Sequence, residues 1–291
     1  MLLFWRVGDL YKKRPGFENA RMRCYPSLLA VYFLATSLAF ASSEKLLLEL
    51  RLDEGGSSTT SSGSIATQVE MLAEGGSAAD LHGPEGSGVS GLPADRAFDN
   101  TRASRMGGTK ERPGQGGALS APAGDLLRAL DSFTLQGWYK AEETPPGSFA
   151  RLVSSLRVNL YFTQEGLQLK VGNSPEASSA LCRSESYMKE GEWIFFAITY
   201  NATLPQDNVC FFAGSREEAV KLVQTATLNN GPIRSSGAGT MIFGNTDDGG
   251  RPFKGWLDNL RLWGDARGSG GALSEAELEL YRNADLNHQT P

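Results

Sequence analysis

Apolar and polar residues alternate over short segments of the chain, most densely after residue 132. A period of two residues is typical of a half-buried β-strand, and residues 192–201 add a cluster of aromatic and β-branched types that favour strands. Turn residues separate the segments at intervals of about 8–12 residues, which predicts a β-sandwich or a barrel. The predicted strands are residues 45–52, 133–141, 151–164, 167–172, 192–201, 208–214, 221–228, 239–245 and 253–263.

One short helix is predicted near the C-terminus. Ser274 is followed three residues later by Glu277, which matches a capping box at a helix start. Leu278 and Tyr281 then share one helical face, so this face is expected to pack against the rest of the protein.

Two segments, residues 55–91 and 106–124, are rich in glycine and other small residues. This composition resists a packed core, so long loops are expected there. No internal repeat is visible. We therefore expect one domain over residues 44–286, followed by a tail at residues 287–291.

Composition restricts the class of protein. Hydrophobic residues make up 40% of the chain and charged residues 21%, which is sufficient for a buried core. The first 41 residues hold six basic and two acidic residues, so the net charge of −5 leaves about −9 on the remainder. Such an acidic surface argues against nucleic acid as a partner. The two histidines, His82 and His288, lie in a loop and near the C-terminus, so neither predicts a zinc site or a catalytic triad.

The N-terminal region has the order of parts found in a secretory signal peptide. Residues 27–38 form an uncharged apolar run that is too short to span a bilayer comfortably. Arg21 and Arg23 precede this run, and small residues follow it at positions 39 and 41. This arrangement predicts export, with an N-terminal anchor helix or a buried helix as the alternative.

We expect the signal peptide to occupy residues 22–41 of an N-terminal region spanning residues 1–41. Translation can start at Met1 or at Met22, since residues from Met22 form a complete signal by themselves. Cleavage is expected near Ala41. The mature chain would then carry no membrane span and would be secreted or extracytoplasmic.

Removing the signal peptide leaves two cysteines, Cys182 and Cys210. An even number of cysteines in an exported chain favours a disulfide bond, here between two strands. The alternative is a pair of separate buried thiols, because a free cysteine packs as a small apolar residue.

Three motifs resemble laminin G-like (concanavalin A-like) jelly-roll domains. Residues 253–263, with the sequence FKGWLDNLRLW, precede an Ala-Leu-Ser-Glu helix start at residues 272–275, as in the closing segment of that family. Residues 133–138 (FTLQGW) and 191–200 (GEWIFFAITY) resemble two earlier family strands. The resemblance implies an all-β, two-sheet antiparallel jelly-roll sandwich with one short C-terminal helix.

The same resemblance implies a structural calcium site. In that superfamily the aspartate of the closing strand supplies a carboxylate, and the end of the first strand supplies backbone oxygens. The corresponding positions are Asp258 and the turn that begins at Asp53. Calcium prefers such oxygen ligands. The alternative is that Asp258 accepts hydrogen bonds from backbone amides at a strand bulge.

Two aspartates and several large aromatic residues are candidates for ligand binding. Asp247 and Asp248 lie in a loop before the last strand, where aspartate and glycine are also ordinary turn formers. Trp256 and Trp263 can stack on a sugar ring, as can Trp193 and Tyr200, although burial in the core is the usual place for large aromatics.

The sequence therefore predicts a secreted, non-catalytic recognition or adhesion domain that binds a glycan or a surface protein through loops at one rim. One alternative is a polysaccharide-active enzyme of the same fold, which would need two paired carboxylates. No strand carries an E-x-D-x-x-E pattern, which argues against this alternative. A structural component of an envelope or matrix is the other alternative.

Overall fold

Extended segments pair side by side through most of the computed structural model, which describes residues 45–104, 115–122, 126–144, 146, 149–172, 178–234 and 239–289. The predicted signal peptide and its cleavage position lie outside these residues. The strands are β1 Lys45–Leu50, β2 Ser58–Thr60, β3 Gln68–Leu72, β4 Phe98–Asp99, β5 Ala118–Pro122, β6 Ala129–Leu130, β7 Ser132–Ala141, β8 Arg151–Ser154, β9 Val158–Phe162, β10 Leu167–Val171, β11 Ser178–Cys182, β12 Trp193–Asn201, β13 Val209–Ser215, β14 Lys221–Ala226, β15 Ile233–Arg234, β16 Thr240–Phe243 and β17 Gly255–Asp265. The helix α1 spans Glu275–Leu286.

The strands form two antiparallel sheets. The first sheet has the strand order β1-β17-β7-β12-β13-β14, with β4 added beside β17, and the second has the order β11-β10-β9-β8-β16-β5-β3-β2. Strands β6 and β15 form a separate pair. Neighbours in the sheets are often distant in sequence, as in a jelly roll. The predicted two-sheet sandwich is confirmed.

The main core lies between the two sheets. Along β12, Ile194, Phe196 and Ile198 point into this core and are at most 1% exposed. They meet residues of the second sheet such as Leu160 and Leu169. Alternation along the strands thus places one face of each sheet in the sandwich interior.

The outer face of the first sheet is also covered. Trp138 and Phe195 point to this side and form a second apolar cluster with Leu278 of α1. The helix begins with the predicted capping box, in which the Ser274 side chain accepts from the Glu277 backbone N–H. Leu278 and Tyr281 face the sheet as predicted.

Two expectations about local structure are wrong. The Gly- and Ser-rich segments contain β2, β3 and β5, because Val69, Met71, Leu119 and Ala121 alternate inward and join the core. Residues 151–164, expected as one strand, form the β8–β9 hairpin, in which the Ser155 hydroxyl donates to the Val158 carbonyl at 2.8 Å and closes the turn.

The predicted disulfide is not formed, since Cys182 and Cys210 are both free thiols. Cys182 ends β11 in the second sheet and lies in the core between the sheets. Cys210 is on β13 in the first sheet and packs with the outer cluster beneath the helix. The two sulfur atoms therefore lie on opposite sides of the first sheet, which excludes the short Cβ–Cβ distance that a disulfide requires.

Residues Ser42–Pro291 form one compact unit. Within the described residues, no helix combines the length and the apolar character needed to cross a bilayer.

Candidate functional site

The last strand, β17, contains a bulge that sets the geometry of the candidate site. Pairing with β7 shifts between Asp258 and Arg261, and Asn259 adopts a left-handed backbone with a φ of 46°. An extra residue in a strand reverses the usual alternation. As a result Leu257 and Leu260 point into the main core, whereas Asp258 and Arg261 both lie on the outer side.

Asp258 is fully buried, and its carboxylate accepts two backbone hydrogen bonds. Its Oδ2 accepts from the Val89 N–H at 2.8 Å, and its Oδ1 accepts from the Asn259 N–H at 2.7 Å. These are the amide contacts at a bulge that the sequence left as an alternative. Burial raises the pKa of Asp258 well above its ordinary value, and the negative charge of Asp95 acts in the same direction.

Three more side chains gather beside Asp258. Ligand atoms of Asp53, Asp95 and His288 all lie within 4.8 Å of one another. His288 Nε2 is 3.9 Å from Asp53 Oδ2, and His288 Nδ1 is 3.9 Å from Asp95 Oδ1. We call Asp53, Asp95 and Asp258, with His288, the carboxylate cluster.

Asp95 supplies a polar atom that the protein does not satisfy. Its side chain is fully buried, and Oδ2 accepts from the Ser90 N–H at 2.6 Å. Within the part of the chain that the structure describes, its Oδ1 is buried without a hydrogen bond. A buried carboxylate oxygen without a partner is costly, so a cation at this position would stabilise the fold. Burial also raises the pKa of Asp53, with the charge of Asp95 adding to the effect.

A groove lies near the start of β17. Its volume is ≈ 540 Å³, which lies within the range of about 300–1,000 Å³ that is typical of pockets for small ligands. We call it the Trp256 groove. Its lining includes two tryptophans and several charged side chains, namely Trp256, Trp193, Lys140, Glu85, Glu192 and Arg216.

Several contacts hold the aromatic side of this groove. Trp256 is half-buried, and its Nε1–H donates to Glu142 Oε1 at 3.3 Å. Gly83 lies so close that an added Cβ would be 2.4 Å from Trp256 Cζ3. Across the groove, Arg216 Nε donates to the Val89 carbonyl at 2.7 Å. The groove therefore combines a positioned aromatic ring with polar groups, the combination that orients a ligand in a binding pocket.

A family model described as the concanavalin A-like lectin/glucanases superfamily matches residues 113–270, which is more than half of the chain. The chain belongs to this superfamily. No curated protein sequence matches it.

Solved structures share the superfamily fold with this chain at low sequence identity. The receptor-binding domain of botulinum neurotoxin mosaic serotype C/D has a TM-score of 0.53 and 10% identity over 82% of this chain. Domain 4 of AbnA, a GH43 extracellular arabinanase from Geobacillus stearothermophilus solved with arabinotriose, has a TM-score of 0.52 and 15% identity over 81% of this chain. This chain matches 51% of the neurotoxin chain and 97% of the arabinanase domain.

The predicted site residues of this superfamily domain are distributed over several places. Asp53 and Asp258 lie in the carboxylate cluster, together with Asp95 and His288, which the sequence did not single out. Asp95 follows the Gly-rich segment 55–91, in a stretch where the sequence predicted neither a strand nor a helix. His288 was not expected to be held in place because it lies so near the C-terminus, yet it follows α1 and lies beside Asp53 and Asp95.

Trp263 must be corrected as a ligand-binding candidate. It is only 4% exposed, and its ring centroid lies 4.8 Å from that of Tyr281 in α1. The helix therefore covers the ring that a sugar would need. Tyr200 is buried as well, and its hydroxyl donates to the Gly231 carbonyl at 2.7 Å.

Asp247 and Asp248 line a different cavity of ≈ 400 Å³, on the rim between β16 and β17. Asp247 Oδ1 accepts from the Asp248 N–H at 2.9 Å, and Asp248 Oδ1 accepts from the Gly250 N–H at 3.0 Å. These contacts stabilise the loop itself. Hydrogen bonds to Thr246 and Gly250 lower the pKa of Asp248, so this carboxylate is charged at neutral pH.

Proposed function

We propose that this chain is an exported, non-catalytic carbohydrate-binding domain and that the Trp256 groove holds the saccharide. The observation that carries the proposal is the half-buried Trp256 ring on a groove whose remaining lining is largely polar. A sugar presents an apolar face and a ring of hydroxyl groups, so it matches an aromatic surface beside hydrogen-bonding side chains.

The superfamily and one neighbour support a saccharide as the ligand. The superfamily includes lectins by its description. The AbnA domain was solved with arabinotriose, and this chain matches 97% of that domain. The neurotoxin neighbours are receptor-binding domains, so a role in recognition is common to both. The absence of the E-x-D-x-x-E strand motif from the sequence supports binding without catalysis.

The carboxylate cluster fits a structural calcium ion. Asp53 and Asp95 offer oxygen ligands and His288 offers a ring nitrogen, and among the described residues Asp95 Oδ1 is buried without a hydrogen bond. Calcium accepts six to eight such oxygens, with backbone carbonyls and waters completing the shell. A bound calcium ion would neutralise the repulsion between these carboxylates and would tie the segment that follows β1 to β17. Its contribution would be to stability and to the position of the loop around Val89, which borders the groove.

Export is part of the proposal and rests on the signal-like residues 22–41. It is tested by expressing the full coding sequence in a secreting host and sequencing the N-terminus of the protein in the medium. We expect a chain that begins at Ser42. An uncleaved chain that stays in the cell would contradict export.

Saccharide binding is tested by titration calorimetry of the purified protein with arabinotriose and a panel of neutral oligosaccharides. We expect binding of at least one of them and a loss of at least about tenfold in affinity for Trp256→Ala, because stacked aromatics often dominate a binding site. Leu156→Ala, which alters an exposed residue on the β8–β9 turn, is the control. Equal affinity of Trp256→Ala and the wild type would exclude the groove. Chromatography of the incubated sugars should show no cleavage products.

A further inference from the structure

A second set of side chains, on the other sheet, has the features of a binding site. Arg151 begins β8, and its register partner on β9 is Tyr161. Both point to the outer face of the second sheet, since Leu152 and Leu160 point into the core. Phe149, just before β8, and Arg251, just before β17, lie beside them.

These four side chains contact one another in a continuous series, which we call the arginine–aromatic stack. The Arg151 Cζ lies 4.0 Å from the Tyr161 ring centroid. The rings of Tyr161 and Phe149 are stacked, with centroids 6.1 Å apart and an interplanar angle of 26°. The Arg251 Cζ lies 4.8 Å from the Phe149 ring centroid. A backbone hydrogen bond from the Arg151 N–H to the Arg251 carbonyl, at 3.2 Å, fixes the spacing of the two arginines.

Arg151 has donor groups that the protein does not satisfy. Its Nε and Nη1 atoms are buried and have no hydrogen-bond acceptor among the described residues. Burial lowers the pKa of Arg151 to about 10, and repulsion from Arg251 contributes to this shift. The arginine is still charged at neutral pH, and the surrounding groups balance its positive charge only in part. An anionic group placed here would complete its hydrogen bonds.

Phe149 gives the stack an unusual exposed ring. The residue is 45% exposed and has a left-handed backbone with a φ of 69°. A bulky residue seldom adopts this conformation, and residues held in it are concentrated at ligand sites. Its N–H donates to the Phe162 carbonyl at 2.6 Å, which anchors the backbone and leaves the ring at the surface.

Asp248 is an acidic group near the stack, and its negative charge raises the pKa of Arg151. Its Oδ1 already accepts from the Thr246 hydroxyl and from the Gly250 N–H. It is therefore committed to its own loop, and it weakens the positive potential of the stack without filling it.

We propose that the arginine–aromatic stack binds an acidic saccharide, with its carboxylate or sulfate group at Arg151 and Arg251 and its ring face against Phe149. Arginine suits both anions, because its planar guanidinium presents several donors to their oxygens. The proposal deepens the proposed carbohydrate binding but uses a different surface from the Trp256 groove, so the two can fail separately.

The test is calorimetry of the purified full chain with trigalacturonate, which carries carboxylates, a heparin tetrasaccharide, which carries sulfates, and neutral arabinotriose. We expect one or both acidic probes to bind more tightly as salt is lowered, because exposed charges are screened by salt. Arg251→Gln and Phe149→Ala should each weaken that binding by about tenfold or more. Asp248→Asn should strengthen it.

Arg183→Gln is the matched control, since it removes an exposed arginine that lies outside the stack, just after the edge strand β11 of the same sheet. This variant and Trp256→Ala should leave the affinity for the acidic probe unchanged. The use of two surface variants avoids the partly buried Arg151, whose replacement can impair folding. The relative affinities of the uronate and the sulfated probe identify which anion is preferred.

Two results would overturn the proposal. One is failure of both acidic probes to bind the wild type. The other is binding of an acidic probe that is unchanged in both Arg251→Gln and Phe149→Ala. If that binding were lost in Trp256→Ala, the acidic saccharide would be assigned to the Trp256 groove. Conversely, acidic binding that depends on the stack, without any neutral binding, would support the stack and contradict the proposed function of the groove.

Discussion

Arg261 and Asp285 form a two-point ion pair in which both side chains are fully buried. Arg261 Nη1 donates to Asp285 Oδ2 at 2.9 Å, and Arg261 Nη2 donates to Asp285 Oδ1 at 2.6 Å. Glu49 accepts from Arg261 Nε at 2.8 Å, and Trp138 Nε1 donates to Asp285 at 2.9 Å. The network therefore joins strands β1, β7 and β17 to the helix.

Breaking this pair should destabilise the protein strongly. Arg261→Met leaves Asp285 and Glu49 as buried acids without their cation, which typically costs about 3–5 kcal/mol of unfolding free energy. Urea unfolding at neutral pH measures this loss. Arg183→Gln, which breaks an exposed pair with Glu165, should cost less than about 1 kcal/mol. A similarly small loss for Arg261→Met would mean that the pair is accessible to water.

Asp95→Asn should separate the roles of calcium and charge in the carboxylate cluster. The change keeps the shape of the side chain and its acceptor for Ser90, while it removes one of three neighbouring negative charges. In chelator, the variant should melt a few degrees higher than the wild type, because each kcal/mol of added unfolding free energy raises the melting temperature by about 2–4 °C. Added calcium should raise the melting temperature of the wild type only, because binding to the folded state stabilises it.

Thermal melts in chelator and in calcium test this pair of effects. Asp207→Asn is a control, since Asp207 is an exposed carboxylate in a loop outside the cluster. A wild type that does not respond to calcium would contradict the calcium site. An equal response of Asp95→Asn would place the ion elsewhere.

Stability in chelator should also depend on pH. Burial raises the pKa of Asp258 in the folded protein above its ordinary value of 3.8, so the folded state binds the proton more tightly than the unfolded state. The resulting stabilisation is complete below the unfolded pKa and is lost as the pH rises through the folded pKa. The unfolding free energy attributable to this group should therefore fall as pH increases from about 4. Saturating calcium should reverse the trend, since it favours the ionised carboxylates.

Both cysteines should react as free thiols. Alkylation of the chain from Ser42 onward, which lacks Cys24, should add two labels under denaturing conditions without prior reduction, and a reducing agent should leave the melting temperature unchanged. In the folded protein the half-buried Cys210 should react before the buried Cys182, although burial raises the pKa of both thiols and slows their reaction. A mass two hydrogens lower, restored by reduction, would indicate the bond that the geometry excludes.

The sequence predicted the fold well wherever apolar periodicity is strong. Residues 192–201 and 253–263 follow it closely, and the capping box at Ser274 marks the helix start. Strands such as β3 were missed because the alternating run of residues 68–72 is short and lies inside a segment rich in glycine and other small residues. Cys182 and Cys210 were paired from number and context alone, which give no information about the side of the sheet on which each lies.

The candidate sites were predictable only in part. Asp258 and Asp53 came from the resemblance of the end strands, but Asp95 joins them from a segment far away in sequence. The arginine–aromatic stack depends on the β8–β9 register and on the backbone contact between residues 151 and 251, neither of which is visible as a motif. Contacts between distant segments thus decide the sites, whereas local patterns decide the strands.

Trp256 and Trp263 should respond in opposite ways to replacement by alanine. Trp263 is buried against Tyr281, so Trp263→Ala removes apolar contacts and leaves a cavity that costs about 3–5 kcal/mol. Trp256 borders the groove and is half-buried, so Trp256→Ala should cost about 1 kcal/mol. Saccharide affinity should show the reverse order, with a large loss for Trp256→Ala and little change for Trp263→Ala at a temperature where both variants are folded. Urea unfolding and calorimetry on the same samples measure the two effects, and a Trp263→Ala variant that loses affinity while it stays folded would show that ligand recognition extends beneath the helix.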